Sequence, residues 1–117
     1  MQKTIDRVFG LSADVRYVAI YHHGQLASAM RSSLENASAA ESDKYEELLV
    51  NPTLLTLARQ RGNIDCGGLE YLIVRYGSFF EIIHPTAGGH LSVGVEPTAN
   101  PLTLVPGIRE VAGGLSA

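Results

Sequence analysis

The chain has 117 residues, 45% of them hydrophobic, which is the size of one compact domain with a single core. Its formal net charge is −3 and its basic residues are scattered singly, so nothing indicates nucleic-acid binding. No apolar run approaches the roughly 20 residues that span a bilayer, and one cysteine, Cys66, excludes an internal disulfide, so we expect a cytoplasmic protein without a membrane span.

The first third of the chain predicts a short helix and then a β-hairpin. Apolar residues at helical spacing indicate a helix over residues 4–9, which ends at Gly10. Residues 15–21 are apolar at odd and even positions, which is typical of a strand covered on both faces. Gly24 supplies the positive φ of a tight turn, and residues 26–30 return as a weaker strand near a sheet edge.

The middle of the chain predicts a loop and an interrupted helix. Residues 32–42 are polar and small and indicate a linker. Asp43 and Glu46 have the spacing of a capping box, which would start a helix. That helix would turn three apolar residues inward, namely Tyr45, Leu48 and Leu49. At Asn51-Pro52 the sequence agrees both with a second helical piece capped by Asn51 and with one kinked helix.

The last third predicts three strands and a helix. Residues 61–68 have the composition of a turn, and residues 69–75, 79–84 and 91–96 form a predicted antiparallel meander, with the second connection at residues 85–89. An apolar stripe then indicates a C-terminal helix that ends at Gly113-Gly114: Leu104, Val105, Ile108, Val111 and Ala112. The helix opens at Asn100-Pro101 or at Thr103, and Pro106 fits better after Thr103 because it then falls in the first turn.

This order, helix, two strands, helix, three strands and helix, predicts one α+β domain over residues 1–117. A five-stranded antiparallel sheet with helices on both faces agrees with the apolar residues on both sides of the first strand. The chain contains no internal repeat that would suggest another architecture.

Two stretches resemble the roadblock/dynein-light-chain family, within the profilin-like class that also contains longin domains. VRYVAIYHHGQLASAM resembles the first hairpin of the family, in which an apolar strand turns at a glycine and returns with small residues. GGHLSVGVEPTANPLTLVPGIREVA resembles its last strand and final helix. The long polar linker over residues 32–42 and the Asn51-Pro52 break depart from the family, in which the central helix is usually continuous.

The resemblance implies a non-enzymatic homodimer, since family members pair two subunits through the third strand and the central helix. An apolar edge strand without lysine or proline agrees with pairing, whereas a helix or loop covering the edge in a monomer is the alternative. The implied interface residues are Leu69, Tyr71, Ile73, Arg75, Tyr45, Leu48 and Leu55. The implied partners are a second copy of the chain and a small Ras-like GTPase or another protein, for which the chain would be a scaffold or regulator.

Four histidines, His22, His23, His84 and His90, are candidate metal ligands. In the resembled topology, the end of the first strand, the end of the fourth and the start of the fifth share one rim of the sheet. Imidazoles gathered there could bind zinc, copper or nickel, although turn-tip histidines are more commonly solvated.

Other chemistry is weakly represented. There is no nucleophile elbow and no phosphate loop, so we expect neither catalysis nor a cofactor. The carboxylates of Glu41, Asp43, Glu46 and Glu47 are expected at a helix start, where they complement the helix dipole. The alternative function is a small-molecule or metal-binding sensor, with a site on the histidine rim or between sheet and helix.

Overall fold

The computed structural model describes residues 1–32 and 39–115, and its centre is a five-stranded antiparallel sheet. The strands are β1 (Val15–His22), β2 (Gln25–Met30), β3 (Leu72–Arg75), β4 (Phe80–Thr86) and β5 (Gly89–Val95). Their order across the sheet is β2-β1-β5-β4-β3. The helices are α1 (Gln2–Phe9), α2 (Ala40–Tyr45), α3 (Asn51–Asp65) and α4 (Val105–Gly113). The predicted α+β class and helix-strand order are confirmed.

The hairpin β1–β2 forms as predicted. His23 and Gly24 both have positive φ, 50° and 80°, which matches the right-handed twist of the flanking strands. β1 is paired on both sides, with β2 and with β5, and its first six residues are buried. β2 is an edge strand and is only partly buried, as its weaker apolar pattern predicts.

One face of the sheet packs against α1 and α4, and we call it the α1/α4 face. Its core is made only of apolar residues: Ile5, Val8, Val15, Val18, Ile20, Ile82, Leu91, Val93, Val95, Leu104, Ile108, Val111 and Ala112. Four of the five residues of the predicted C-terminal stripe belong to this core, and the fifth, Val105, is also buried. Asn100 caps a 3-10 turn (Pro101–Leu104), where its side chain accepts from the Leu102 N–H, and Pro106 lies in the first turn of α4. Thr103 is therefore not the cap.

The other face packs against one continuous helical segment, α2 followed by a π-helical turn (Glu46–Val50) and α3, which we call the central helix. A proline ring in an α-helix collides with the carbonyl four residues earlier. Before Pro52 the spacing is wider, because the Asn51 N–H donates to Glu46, five residues back. The Thr53 hydroxyl also donates to the Leu49 carbonyl at 2.6 Å. The π turn thus lets the helix pass Asn51-Pro52 without a break.

The predicted capping box is wrong, because α2 begins at Ala40, one turn before Asp43, and has no side-chain cap. Tyr45, Leu48 and Leu49 are also not turned inward, since their exposed fractions are 61%, 53% and 51%. The buried residues of the π turn and α3 are Glu47, Asn51, Leu55 and Gly62. An apolar pattern could not identify this side of the helix, because half of its buried residues are polar.

Three predicted boundaries are corrected. α3 continues to Asp65, so the turn is shorter than residues 61–68, and β3 begins at Leu72 rather than at residue 69. β4 continues through Pro85 and Thr86, which pair with β5. β3 pairs with β4 no further than Ile83, so the other edge of β4 is open near Pro85, and an open edge tolerates proline.

The predicted linker is only partly described. Ser32 lies in a turn and residues from Ala40 are helical, whereas residues 33–38 lie outside the described part of the chain. Within residues 1–32 and 39–115, none of the helices is both long and apolar enough to cross a membrane.

Candidate functional site

Buried polar side chains gather between the central helix and the sheet. Glu47 and Asn51 come from the helix, and Glu81, His90 and Ser92 come from β4 and β5; each is at most 2% exposed. The register places these strand residues on one face, because Glu81 is opposite Gly94, and Gly94 alternates with Ser92 and His90 along β5. We call this surface the central-helix face.

Glu47 is the centre of this cluster. Its Oε2 accepts a hydrogen bond from the Tyr17 hydroxyl at 3.1 Å. Its Oε1 accepts from Asn51 Nδ2 at 3.0 Å and from His90 Nε2 at 2.8 Å. A buried carboxylate is tolerated when such donors surround it, so Glu47 connects β1, β5 and the central helix.

A second carboxyl group, that of Glu81, lies beside this cluster. Its Oε1 accepts a hydrogen bond from the Ser92 hydroxyl, and Ser92 Oγ lies 3.5 Å from Asn51 Nδ2. Burial, and then the nearby charge of Glu47, holds the pKa of Glu81 well above its ordinary value. Glu81 therefore favours its neutral, protonated form much more than an exposed glutamate does.

A cavity of about 380 Å³ opens next to the two glutamates, beneath the first half of the central helix. Tyr17, Gly94 and Glu81 line it from the sheet, and Glu46 and Glu47 line it from the π turn. Its other lining residues are Arg16, Met30, Ser42, Asp43, Tyr45, Val50, Tyr76 and Phe79. The volume is within the range of small-molecule sites.

Glu46 and Tyr76 form one wall of the cavity. The Tyr76 hydroxyl donates to Glu46 Oε1 at 2.7 Å, which ties the residue after β3 to the π turn. Burial raises the pKa of Glu46, and burial together with Glu46 raises the pKa of Tyr76. The second oxygen of the Glu46 carboxylate, Oε2, is buried and has no hydrogen-bond partner among the described residues.

The sheet side of the cavity depends on a glycine. A Cβ at Gly94 would lie 3.2 Å from the Cβ of Tyr17, which is opposite it on β1. Without a side chain at position 94, the Tyr17 ring keeps its place above the strand and its hydroxyl reaches Glu47. Burial, and then the charge of Glu47, raises the pKa of Tyr17, so the hydroxyl stays protonated and remains a donor.

The four predicted histidines lie at one end of the sheet but not on one face. His90 pairs with Tyr21, whereas His22 pairs with Gly89, so their side chains alternate to opposite faces. His84 pairs with Leu91 and belongs to the α1/α4 face, and His23 is exposed in the turn. They thus share the predicted rim but are divided between its two faces. In the described part of the chain, no three His, Cys, Asp or Glu side chains are grouped so that they could hold a metal ion.

The residues predicted for a dimer interface fall into three sets. Tyr45 and Leu48 are exposed on the central helix. Leu69, Tyr71 and Ile73 are half-buried at or before β3, and Arg75 is exposed at its end. Leu55 is only 3% exposed, because it packs between helix and sheet within its own chain, so it is not available to a second copy.

The sequence interpretation missed the buried polar cluster. Glu46 and Glu47 were expected to complement the helix dipole at a helix start, a position that Glu41 and Asp43 occupy instead. Two signals were present. Glu81 interrupts the apolar run from Phe79 to Ile83. Glu47 and Asn51 are also four residues apart, on one side of the helix.

Comparison with known proteins gives results for structure only, since no family model and no curated protein matches the sequence. Among solved structures, MglB with a tetrameric arrangement has a TM-score of 0.76 and 8% identity, over 97% of this chain and 83% of that one. A roadblock/LC7 domain from Streptomyces avermitilis has a TM-score of 0.73 and 13% identity, over 96% and 91%. The gliding protein MglB from Thermus thermophilus has a TM-score of 0.62 and 9% identity, over 97% and 89%.

These likenesses extend over nearly the whole chain and define its fold. The chain is an α+β domain with a five-stranded antiparallel sheet. More specifically, it has the fold of roadblock/LC7 domains, the fold that the resemblance of the hairpin and of the last strand and helix implies.

Proposed function

We propose that the chain is a non-enzymatic homodimeric interaction module, which scaffolds or regulates a protein partner such as a small Ras-like GTPase. The observation that carries this proposal is an exposed apolar stripe on the central helix beside an open sheet edge. Five apolar residues on this helix are at least half exposed: Tyr45, Leu48, Leu49, Leu57 and Ile64. Apolar side chains in such a row are typical of a surface that another protein covers.

The sheet edge that lies close to the stripe is β3. This strand pairs with β4 on one side only, and its outer edge has no partner among the described residues. The Tyr76 hydroxyl, directly after β3, bonds to Glu46 in the π turn, so the end of β3 lies beside the central helix. Pairing β3 with its copy would satisfy the open edge and bring the two stripes together.

Two further observations support a protein-binding role. One of the similar structures is an MglB with a tetrameric arrangement, so a chain of this fold self-associates there. The sequence of this chain also contains no catalytic motif of the kinds considered above. A Ras-like GTPase is the proposed partner class because the family that the chain resembles commonly regulates such proteins.

Sedimentation of a Leu48→Glu variant tests the dimer. A charge in the centre of an apolar interface should weaken self-association at least about 100-fold, while the folded monomer, in which Leu48 is 53% exposed, keeps its unfolding temperature. The matched control is Leu102→Glu, since Leu102 is 57% exposed on the 3-10 turn before α4. A wild-type chain that is monomeric at micromolar concentration contradicts the proposal, as does a dimer that only Leu102→Glu disrupts.

The partner class has its own test. Purified small GTPases from the source organism, loaded with GDP or with a GTP analogue, are passed over the immobilised wild-type protein. Nucleotide-dependent retention of at least one of them is expected. Failure of every GTPase in both nucleotide states contradicts the partner class and leaves the dimer to be judged by sedimentation.

Small-molecule sensing is a second candidate function, and the cavity between the central helix and the sheet favours it. The sensor hypothesis that uses the histidine rim as a metal site has no comparable support, because the histidines are divided between two faces of the sheet.

A further inference from the structure

The hydrogen-bonding groups in the cavity are unevenly balanced. Four carboxyl groups line it, those of Asp43, Glu46, Glu47 and Glu81. Two hydroxyl donors of its lining are engaged within the protein: the Tyr17 hydroxyl bonds to Glu47 and the Tyr76 hydroxyl bonds to Glu46. The guanidinium of Arg16 donates to Glu96 at 3.3 Å. Carboxyl groups outnumber the single cation among the described lining residues, so a ligand that donates hydrogen bonds complements this cavity.

One acceptor is particularly informative. Glu46 Oε2 is a buried carboxylate oxygen without a hydrogen-bond partner among the described residues, on a side chain that lines the cavity. Native proteins rarely leave such an atom unsatisfied. An N–H donor inside the cavity would remove this deficit.

The remaining walls are aromatic and apolar. Tyr17, Tyr76 and Phe79 contribute rings, and the Tyr76 and Phe79 centroids lie 5.5 Å apart at a tilted angle. The side chain of Arg16 already lies over Phe79, with 5.6 Å from its guanidinium carbon to the ring centroid. The protein thus places one of its own cations against an aromatic ring at this site, and aromatic faces attract cations.

We propose that this cavity binds a small organic ammonium ion, whose charged nitrogen contacts Glu46 and whose apolar part lies among Tyr17, Tyr76 and Met30. A bare metal ion is a poorer fit, because no group of three ligating side chains is formed in the described part of the chain and much of the wall is hydrocarbon. The site lies within one chain and does not depend on the proposed dimer.

Binding should be coupled to proton release. Burial raises the pKa of Glu46 and of Glu81, so each carboxyl group holds its proton more tightly than an exposed glutamate does. A bound cation favours the charged carboxylates, so protons leave and affinity rises with pH. The titratable or charged groups that act on Glu46 are Tyr76 after β3, His90 on β5, Glu81 on β4, and Glu47 and Asp43 on the central helix.

Calorimetric titration with phenethylammonium tests the site, and 2-phenylethanol is the uncharged probe of similar shape. Phenethylammonium, which stays protonated at pH 8 as a lysine does, should bind with a Kd below about 1 mM, and more tightly at pH 8 than at pH 5.5. The alcohol should bind at least about tenfold more weakly, because it has no charge to pair with the carboxylates.

A variant and a control locate the binding. Glu46→Gln keeps an oxygen that accepts from Tyr76 but removes the charge, so it should weaken phenethylammonium binding at least about tenfold and flatten the pH dependence. Glu41→Gln removes an exposed carboxylate on the same helix, outside the cavity, and should leave the Kd unchanged. Thermal unfolding shows that both variants fold.

The absence of a heat of binding with phenethylammonium up to about 5 mM, several times the largest Kd expected, overturns the proposal. Equal affinity for phenethylammonium and 2-phenylethanol also overturns it. So does equal weakening of phenethylammonium binding by Glu46→Gln and Glu41→Gln. The titration is repeated with Leu48→Glu, whose substitution lies outside the cavity lining. Unchanged binding by that variant separates the ligand site from the proposed dimer, so failure of one is distinguishable from failure of the other.

Discussion

The two faces of the sheet are built in different ways. On the α1/α4 face, all thirteen residues of the core cluster are apolar. Six polar residues are buried in the described part of the chain: five lie between the central helix and the sheet, and the sixth, Arg16, is at the irregularity in β1. A cavity accompanies the polar residues on the central-helix face.

This difference assigns stability mainly to the α1/α4 face and recognition of a ligand or partner to the central-helix face. Each large apolar side chain buried on the α1/α4 face contributes about 1.5–3 kcal/mol. Burial of a carboxylate on the central-helix face costs free energy unless hydrogen-bond donors surround it. For Glu81 this cost is reduced because its raised pKa favours the neutral, protonated form. Because burying these polar groups costs free energy, we expect a ligand or partner to act on the central-helix face.

The largest effect is expected on the apolar face. Ile108→Ala removes a fully buried side chain from α4 and should lower the free energy of unfolding by about 3–4 kcal/mol, or the unfolding temperature by roughly 10–15 °C. Leu102→Ala, at an exposed position, should change it by less than about 0.5 kcal/mol. Equal effects of the two variants, measured by denaturant titration, would contradict the assignment of the core to this face.

The next effect concerns the centre of the polar cluster. Glu47→Ala leaves Tyr17, Asn51 and His90 with buried donors that have lost their acceptor, and should cost about 3 kcal/mol. Glu47→Gln keeps a carbonyl oxygen and should cost less. If denaturant titration shows the Glu47→Ala variant to be as stable as the wild-type protein, the polar cluster does not hold the central helix on the sheet.

The smallest effect depends on pH. Because the pKa of Glu81 is raised in the folded chain, the folded state binds its proton more tightly than the unfolded state does. Its stabilising contribution is complete below the ordinary pKa of about 4.5 and is lost as pH rises through the folded-state pKa. Glu81→Gln, which cannot ionise and can still accept from Ser92, should match wild type near pH 4 and exceed it by about 1 kcal/mol at pH 8.

Thermal unfolding from pH 4 to pH 8 measures this difference. The groups that act on Glu81 are Ser92 on β5 and Glu47, Glu46 and Asp43 on the central helix. Glu110→Gln on the exposed side of α4 is the control and should show no such divergence. A difference that is constant across pH would show that the carboxyl group does not titrate differently in the folded chain.

Most of the fold is predictable from the sequence because its signals are local. Apolar residues at both parities identify β1 as the doubly covered strand, and Gly24 identifies its turn. The apolar stripe from Leu104 to Ala112 identifies the inner side of α4. Each of these segments buries apolar residues and exposes polar ones, which is the assumption that pattern analysis makes.

The candidate site was not predictable in the same way, because it reverses that assumption. Glu47 is fully buried while Leu48 and Leu49 are exposed. A prediction that places the leucines against the sheet therefore assigns the wrong side of the helix to the core. The histidines show a second limit: the topology brings them to one end of the sheet, as predicted, but alternation along each strand sends His22 and His90 to opposite faces. Pairing register, which the sequence does not reveal, decides that outcome.

The π turn has a consequence for how this chain tolerates changes in length. Residues eight positions apart in a regular α-helix differ by about 80° around the axis, so Glu47 and Leu55 would diverge. The wider turn between them reduces this drift and keeps both beneath the helix, against the sheet. Deletion of one residue between them would leave a separation of seven positions, which is about −20° in a regular α-helix, so the helix would lose the π turn and still keep both residues on the sheet side. The π turn therefore accommodates one extra residue in this helix without displacing the cavity or the polar cluster.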